Sequence, residues 1–367
     1  MSLGRQAGII LPGYDPLRVT NPPVIGTASS ASGTSVSVAF TAPSCIGGAA
    51  ITSYTAYACC GIRTATGASS PLVVTGLTTG QSYVFRVFAN NLYGPSYPSG
   101  ASNSAVPVAQ GQQAYTTPGS YTWVAPSCVT SVSIVAVGSG GGPGQYSIYA
   151  AGGGGLGYKN NYSVTPGNSY TVVVGAVGSE SNGGNSYFVN SSVVQGGGGN
   201  GQFSRAGGTY VGDGGGNGGT GGNGVNCGCY LAGGGGGGAG GYSGNGGNGA
   251  NAGFANAAGS AGSGGGGGGG SFRYSLNYSG SSGGGVGLLG QGANGAAGAS
   301  GGGGGGGGSC GTNGTTVTSY PQSVPGGVYG GGGGARNFNI STGGSGAVRI
   351  IWPGTTRQFP STNTGNL

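Results

Sequence analysis

The sequence predicts an all-β chain: one β-sandwich followed by a second that carries an inserted bundle of polyglycine-II helices. Three observations lead there. Short apolar or alternating runs recur at regular spacing through the first half, and none has the 3.6-residue period of a helix. Glycine supplies 100 of the 367 residues, much of it in uninterrupted runs of similar length. One apolar strand, residues 347–352, returns after the glycine region, and a strand needs a partner.

Residues 1–20 read as an extended arm, with Pro12, Gly13 and Pro16 around the apolar stretch Ile9, Ile10 and Leu11. Such a segment can add to a partner's sheet edge, so Ile9, Ile10, Leu11 and Tyr14 are the assembly candidates. Folding back on its own first domain is the competing reading. Residues 21–110 hold alternating strands expected at 35–40, 51–58, 72–74, 83–89 and 104–108, the pattern of an antiparallel sandwich. Residues 111–195 open the second sandwich, with strands expected at 114–124, 129–137, 158–165 and 169–177 and a turn at Thr165-Pro166-Gly167-Asn168. Residues 345–354 close it, which ties both ends of the intervening stretch together. Residues 196–344 are then a compact lobe, not a trailing linker, and 355–367 form a tail.

Within the lobe, glycine runs occupy 233–238, 264–270, 301–308 and 330–334, with Gly-Gly-x texture at 217–226 and 241–253. Glycine loses more backbone freedom on folding than other residues and buries no side chain. Ordered runs therefore need another source of stability. A polyproline-II-like helix has three residues per turn and a rise of about 3.1 Å. Side-chain-free helices of this kind approach closely enough to bond N–H to C=O between neighbours. The interruptions hold Tyr, Ser, Asn and an occasional Arg, the vocabulary of recognition loops. Tyr230, Tyr242, Phe272, Arg273, Tyr274, Tyr278, Tyr320 and Arg336 are the candidate receptor contacts. The competing reading packs aromatics such as Tyr230, Phe272 and Tyr278 over the glycine faces.

Composition removes much chemistry. The chain has no His, which removes imidazole acid–base steps and His metal sites. Asp15, Glu180 and Asp213 are the only carboxylate side chains, in segments with no evident reason to converge as a glycosidase pair. The only lysine, Lys159, lies in a glycine-rich stretch without the ending of a phosphate loop. No enzymatic activity and no cofactor are expected. Cysteines 45, 59, 60, 128, 227, 229 and 310 form no regular framework. Cys227, Cys229 and Cys310 have no evident fourth ligand, so free thiols or late disulfides are expected, and no metal. The net charge of +7 comes from scattered arginines. It lacks the basic run of a nucleic-acid binder and suits diffuse attraction to an anionic surface, or plain solubility. The amino-terminal apolar stretch is too short for a secretory signal and nothing approaches a membrane span. Synthesis in the cytoplasm and incorporation into an assembly there is the expectation.

Residues 71–96, with Leu77 ahead of a turn and Tyr83 after it, resemble a fibronectin type III module, and the likeness extends over nearly all of 21–110. Leu77 and Tyr83 hold the places of that family's turn leucine and tyrosine corner, and Phe40 stands where the family often has Trp. Residues 120–142, 152–159 and 346–352 resemble the glycine-rich domain of phage tail-fibre proteins. The termini, with Arg357 through Thr364, are similar to those of marine cyanobacterial phage proteins. In texture the lobe is similar to the polyglycine-sandwich adhesins of phage long tail fibres, a likeness of composition that carries no residue across. These resemblances imply a virion-surface protein on the tail or capsid exterior: a tail-fibre or tip adhesin whose lobe loops contact a host surface glycan or outer-membrane component. They also imply a homo-oligomer meeting other virion proteins through the amino-terminal arm. The alternative is a purely structural virion or filament subunit, such as a capsid decoration or a tail or baseplate component, assembling through that arm.

Overall fold

The computed structural model describes residues 18–58, 63–144, 147–201, 204–226, 231–253, 255–274, 278–317, 323–335, 341–360 and 363–367. Among them all regular structure is β, and no helix is long and apolar enough to cross a membrane. The chain divides into two compact units, residues 1–110 and 111–367.

Unit 1 contains β1 (Val24–Ser32), β2 (Ser35–Thr41), β3 (Ser53–Ala58), β4 (Thr64–Gly67), β5 (Leu72–Val74), β6 (Phe85–Asn91) and β7 (Gly94–Pro95). The sheets β1-β2-β5 and β4-β3-β6-β7 make a fibronectin-like sandwich. Alternation decides the inside. Val36, Val38, Val74, Phe85 and Val87 are fully buried, and Phe40 packs 4.8 Å from the ring of Tyr54 in the same core. Burying side chains of this size contributes about 1.5–3 kcal/mol each. Leu77 joins this core, and the Thr78 N–H donates to the Tyr83 hydroxyl at 3.0 Å, closing a tyrosine corner.

The strand expected at 104–108 is absent; only an isolated bridge, Tyr83 with Ala105, falls there. Ser96, Ser99, Ser102 and Ala105, spaced by three, pair instead with Ala89, Val87, Phe85 and Tyr83, spaced by two. Each serine N–H donates to the carbonyl opposite, while its hydroxyl accepts the N–H of the same residue at 2.9–3.0 Å. A three-per-turn segment cannot offer a carbonyl at every strand position, and the serine hydroxyls make up the difference.

Unit 2 begins with β8 (Gly111–Tyr115) and β9 (Gly119–Val124), then β10 (Ser131–Val137), β11 (Leu156–Ser163), β12 (Ser169–Val174), β13 (Ser186–Phe188) and β14 (Val194–Gly196). It continues through β15 (Tyr210–Val211), β16 (Gly214–Gly216), β17 (Val225–Asn226), β18 (Leu231–Gly233), β19 (Ser271–Tyr274), β20 (Tyr278–Gly280) and β21 (Ala347–Trp352). The stretch expected as one strand at 114–124 is two strands in two sheets, β8 beside β21 and β9 beside β12; Pro118 and Gly119 lie at the break, where Pro supplies no ladder donor. The sheets β16-β11-β10-β21-β8 and β15-β14-β13-β12-β9 face each other over Trp123, Ile134, Val172, Phe188 and Ile350. The last strand, β21, sits between β10 and β8, antiparallel to both. Every residue of β10 is buried because both of its faces are covered. Val132, Ile134 and Ala136 turn into the sandwich; Val135 and Val137 turn outward, against Ala239, Tyr242, Val286 and Phe359.

That outer layer is a hydrogen-bonded lattice of glycine-rich segments. The run 234–241 shows its rule. Gly234, Gly237 and Gly240 donate to Ile148, Ala151 and Gly154; Gly235, Gly238 and Gly241 donate to Ala250, Gly247 and Gly244; Gly236 and Ala239 donate to Ser281 and Gly284. The carbonyls of the same run accept from three further segments: Ala335 and Gly332, Gly222 and Gly219, Gly269 and Gly266. Partners change with a period of three in both directions, and each N–H···O distance here lies between 2.8 and 3.2 Å. Residues 138–142 and 150–155, upstream of 196, belong to the same lattice.

Candidate functional site

Three adjacent lattice segments run into one small antiparallel sheet, β17-β18-β19-β20. Strand β18 leads into the run 234–241, the run 264–270 leads into β19, and β20 leads into 281–287. Register sets Leu231 opposite Tyr274, Ala232 opposite Arg273 and Gly233 opposite Phe272, then Arg273 opposite Tyr278. The backbone thus gathers four of the eight expected contact residues, Phe272, Arg273, Tyr274 and Tyr278, on neighbouring strands at the end of the lattice. Their side chains, together with Tyr230, Tyr320 and Arg336 and the arm residues Ile9, Ile10, Leu11 and Tyr14, lie outside the described residues.

Tyr242 is a correction. It is only 2% exposed and belongs to the core between β-sheet and lattice. Its ring stacks on Phe359 at 5.7 Å and lies 6.2 Å from Tyr158. Its hydroxyl donates to the Gly287 carbonyl at 3.0 Å and accepts the Gly290 N–H at 3.4 Å. Ala239, near the end of the preceding run, is already in this core, and Tyr242 joins it three residues later. Burial pushes the phenol well above its ordinary pKa, the Gly290 N–H and the charge on Arg349 offsetting only part of the rise.

Two arginines that scattered charge assigned to the surface are interior. Arg349 is 2% and Arg357 0% exposed. Arg349 donates to the Leu288 carbonyl at 3.0 Å, to Gln112 Oε1 at 2.6 Å and to the carbonyls of Thr364 and Gly365. Arg357 donates to the carbonyls of Asn363, Gly111 and Gly365 and, at 3.3 Å, to the same Gln112 Oε1. Burial first, and then the neighbouring Arg357 charge, brings the Arg349 pKa down to about 10. Both guanidiniums stay charged at neutral pH, held by carbonyl dipoles instead of a carboxylate. The tail is therefore part of the fold, and these cations are not available for surface attraction.

Of the carboxylates, Asp213 forms a 2.6 Å ion pair with Lys159. Burial would raise its carboxyl, but the Lys159 ammonium and the Asn160 N–H outweigh that and hold it below the usual range. Cys128 and Cys310 are free and exposed, whereas Cys227 and Cys229 lie outside the described residues. Among the described residues no group of three or more His, Cys, Asp or Glu could hold a metal.

The sequence reading missed the closure of the lattice edges. The N–H groups of Asn217, Thr220 and Asn223 donate to the Oδ1 atoms of Asn245, Asn248 and Asn251 at 2.8–3.0 Å. Gly198 and Gly201 donate likewise to Asn185 and Asn182, and Gly303 and Gly306 to Thr316 and Asn313. The signal was present as Asn or Thr at every third position of the Gly-Gly-x stretches.

No protein-family model matches the chain, and no curated protein matches it. Among solved structures it is similar to titin domains A168–A170, at 32% identity over 24% of this chain and 32% of that one, with a TM-score of 0.22. It is also similar to titin kinase and its flanking domains, at 20% identity over 43% of this chain and 30% of that one, again with a TM-score of 0.22. The chain thus spans about a third of the length of these structures, and likeness at this level carries no argument about function.

Proposed function

We propose that the chain is a non-enzymatic surface protein of a phage virion, a tail-fibre or tip adhesin that attaches to the host cell through the end of its glycine lobe. One observation carries this reading: three lattice segments deliver Phe272, Arg273, Tyr274 and Tyr278 to neighbouring strands of a single sheet. The reading takes the lattice as polyglycine-II packing, which the three-residue period of its hydrogen bonds supports. Such a lattice is a base held mainly by backbone hydrogen bonds, independent of the side chains in the segments between its runs. Tyr, Ser, Asn and Arg in the segments between the glycine runs can then vary with the receptor, a surface glycan or outer-membrane component, while the base stays intact. Many copies on one virion raise avidity without a tight single site.

The test is binding of the purified full chain to intact host cells, beside a variant in which residues 271–278 are replaced by Gly and Ser. Saturable binding that the variant loses at unchanged melting temperature is expected. A folded chain that binds no cells points instead to a structural virion subunit.

A further inference from the structure

The outward face of β4-β3-β6-β7 carries a cleft of about 380 Å³ lined by Thr55, Tyr57, Thr64, Phe88, Pro95, Ser96 and Pro98. Strand register explains the grouping. Tyr57 pairs with Thr64 on one side and Arg86 on the other, and Thr55 with Thr66 and Phe88, so these alternate positions share one face. The Tyr57 and Phe88 rings, 6.1 Å apart and inclined at 50°, form an angled floor. The other wall is the end of β7, which contributes Pro95, and the three-per-turn segment that follows it, which contributes Ser96 and Pro98.

From this cleft we infer a second binding site, independent of the glycine lobe, for a neutral saccharide. The volume falls in the range of small-molecule sites, about 300–1,000 Å³. Its floor is apolar ring, and Thr55, Thr64 and Ser96 place hydroxyls around it beside Pro95 and Pro98, which matches a sugar ring with one C–H face and a periphery of hydroxyls. No lining residue is charged. The nearest cation in the register, Arg86, is committed to the Ser99 carbonyl at 2.7 Å, and residues 18–110 contain no carboxylate side chain. A cationic ligand would find no carboxylate, and an anionic one would find no charged group in the lining and only an engaged arginine beside it. Ser96 and Thr55 are already bonded within the protein, Ser96 to the Tyr97 carbonyl and Thr55 to Thr66. That leaves Tyr57 and Thr64 as the hydroxyls that orient the ligand, with the rings supplying contact area. Tyr97, 80% exposed beside the cleft, extends the aromatic surface.

Affinity electrophoresis of the full chain through gels containing dextran, galactomannan or hydroxyethylcellulose tests this, with alginate as the anionic comparison and a proline-rich peptide as competitor. Retardation by at least one neutral polymer is expected, insensitive to salt. Tyr57→Ala and Phe88→Ala are each expected to weaken it about tenfold or more at unchanged melting temperature. The 271–278 replacement should be retarded like wild type, which separates this site from the attachment reading above. The inference is overturned by no retardation in any neutral gel, by Tyr57→Ala and Phe88→Ala variants that bind like wild type, or by salt-sensitive retardation in alginate alone. It is overturned equally by peptide binding without sugar binding, or by neutral-sugar binding lost only in the 271–278 variant.

Discussion

At Gly238 an added methyl would meet the carbonyl of Gly266, and at Gly235, Gly236 and Gly237 the carbonyls of Gly269, Gly332 and Gly219. These are close approaches between backbones with nowhere to move, so glycine is required for the gap it leaves. Gly238→Ala is expected to cost about 3 kcal/mol, the upper part of the range for overpacking, because a lattice hydrogen bond must lengthen as well. Gly365→Ala, where nothing lies within 4 Å of the new methyl, should leave stability unchanged; denaturant midpoints of the two variants decide the matter. Tyr242 carries a pH signature. Burial raises its hydroxyl's folded pKa above the unfolded value near 10, so its contribution is whole below pH 10 and is lost as pH rises beyond it. Tyr242→Phe should therefore be about 1 kcal/mol less stable than wild type at pH 8, and that gap should narrow steadily above pH 10.

Among the elements, the serine row beside β6 replaces a strand that alternation alone had suggested. Ser99 is 2% exposed and its hydroxyl accepts the Val87 N–H at 3.0 Å. Ser99→Ala leaves that donor buried without a partner and should cost about 1–3 kcal/mol, read as a lower melting temperature of unit 1 with unit 2 unmoved. Turns were more legible. Leu77-Thr78-Thr79-Gly80-Gln81-Ser82-Tyr83 and Val164-Thr165-Pro166-Gly167-Asn168-Ser169-Tyr170 share one pattern and one structure. In each the glycine has φ near 80°, and the threonine N–H donates to the tyrosine hydroxyl five residues on, at 3.0 and 2.7 Å. The first corner followed from the fibronectin resemblance. The second shares Thr, Gly, Ser and Tyr at the same spacing, so its turn and its corner are both legible in the sequence. The Asn and Thr ladders are the lattice's edge protection: side-chain oxygens occupy outer N–H groups that would otherwise template pairing with another chain.

For the molecule as a whole, the tail decides more than its composition suggests. Residues 363–365 supply carbonyls to the buried guanidiniums, Asn363 to Arg357, Thr364 to Arg349 and Gly365 to both. Removing 363–367 strands two adjacent cations between β8, β21 and the lobe, and the loss should be about 3–5 kcal/mol, as for a buried charge deprived of its partners. Calorimetry should show it in the unit 2 transition. The two units have separate cores, so the unit 1 transition should stay in place.

The sequence by itself determined the β class, the fibronectin-like first unit, the return of residues 347–352 to a sheet and the need for the glycine runs to bond to one another. The fibronectin-like character rests on the resemblance of residues 71–96; the others follow from period, turn chemistry or the satisfaction of backbone groups. Tertiary structure alone decided which segments are lattice neighbours, because glycine has no side chain to encode a partner and any run could in principle face any other. It also decided that Tyr242 and two arginines lie inside. Burial is a property of what packs against a residue, and here what packs against them comes from segments up to 246 positions away.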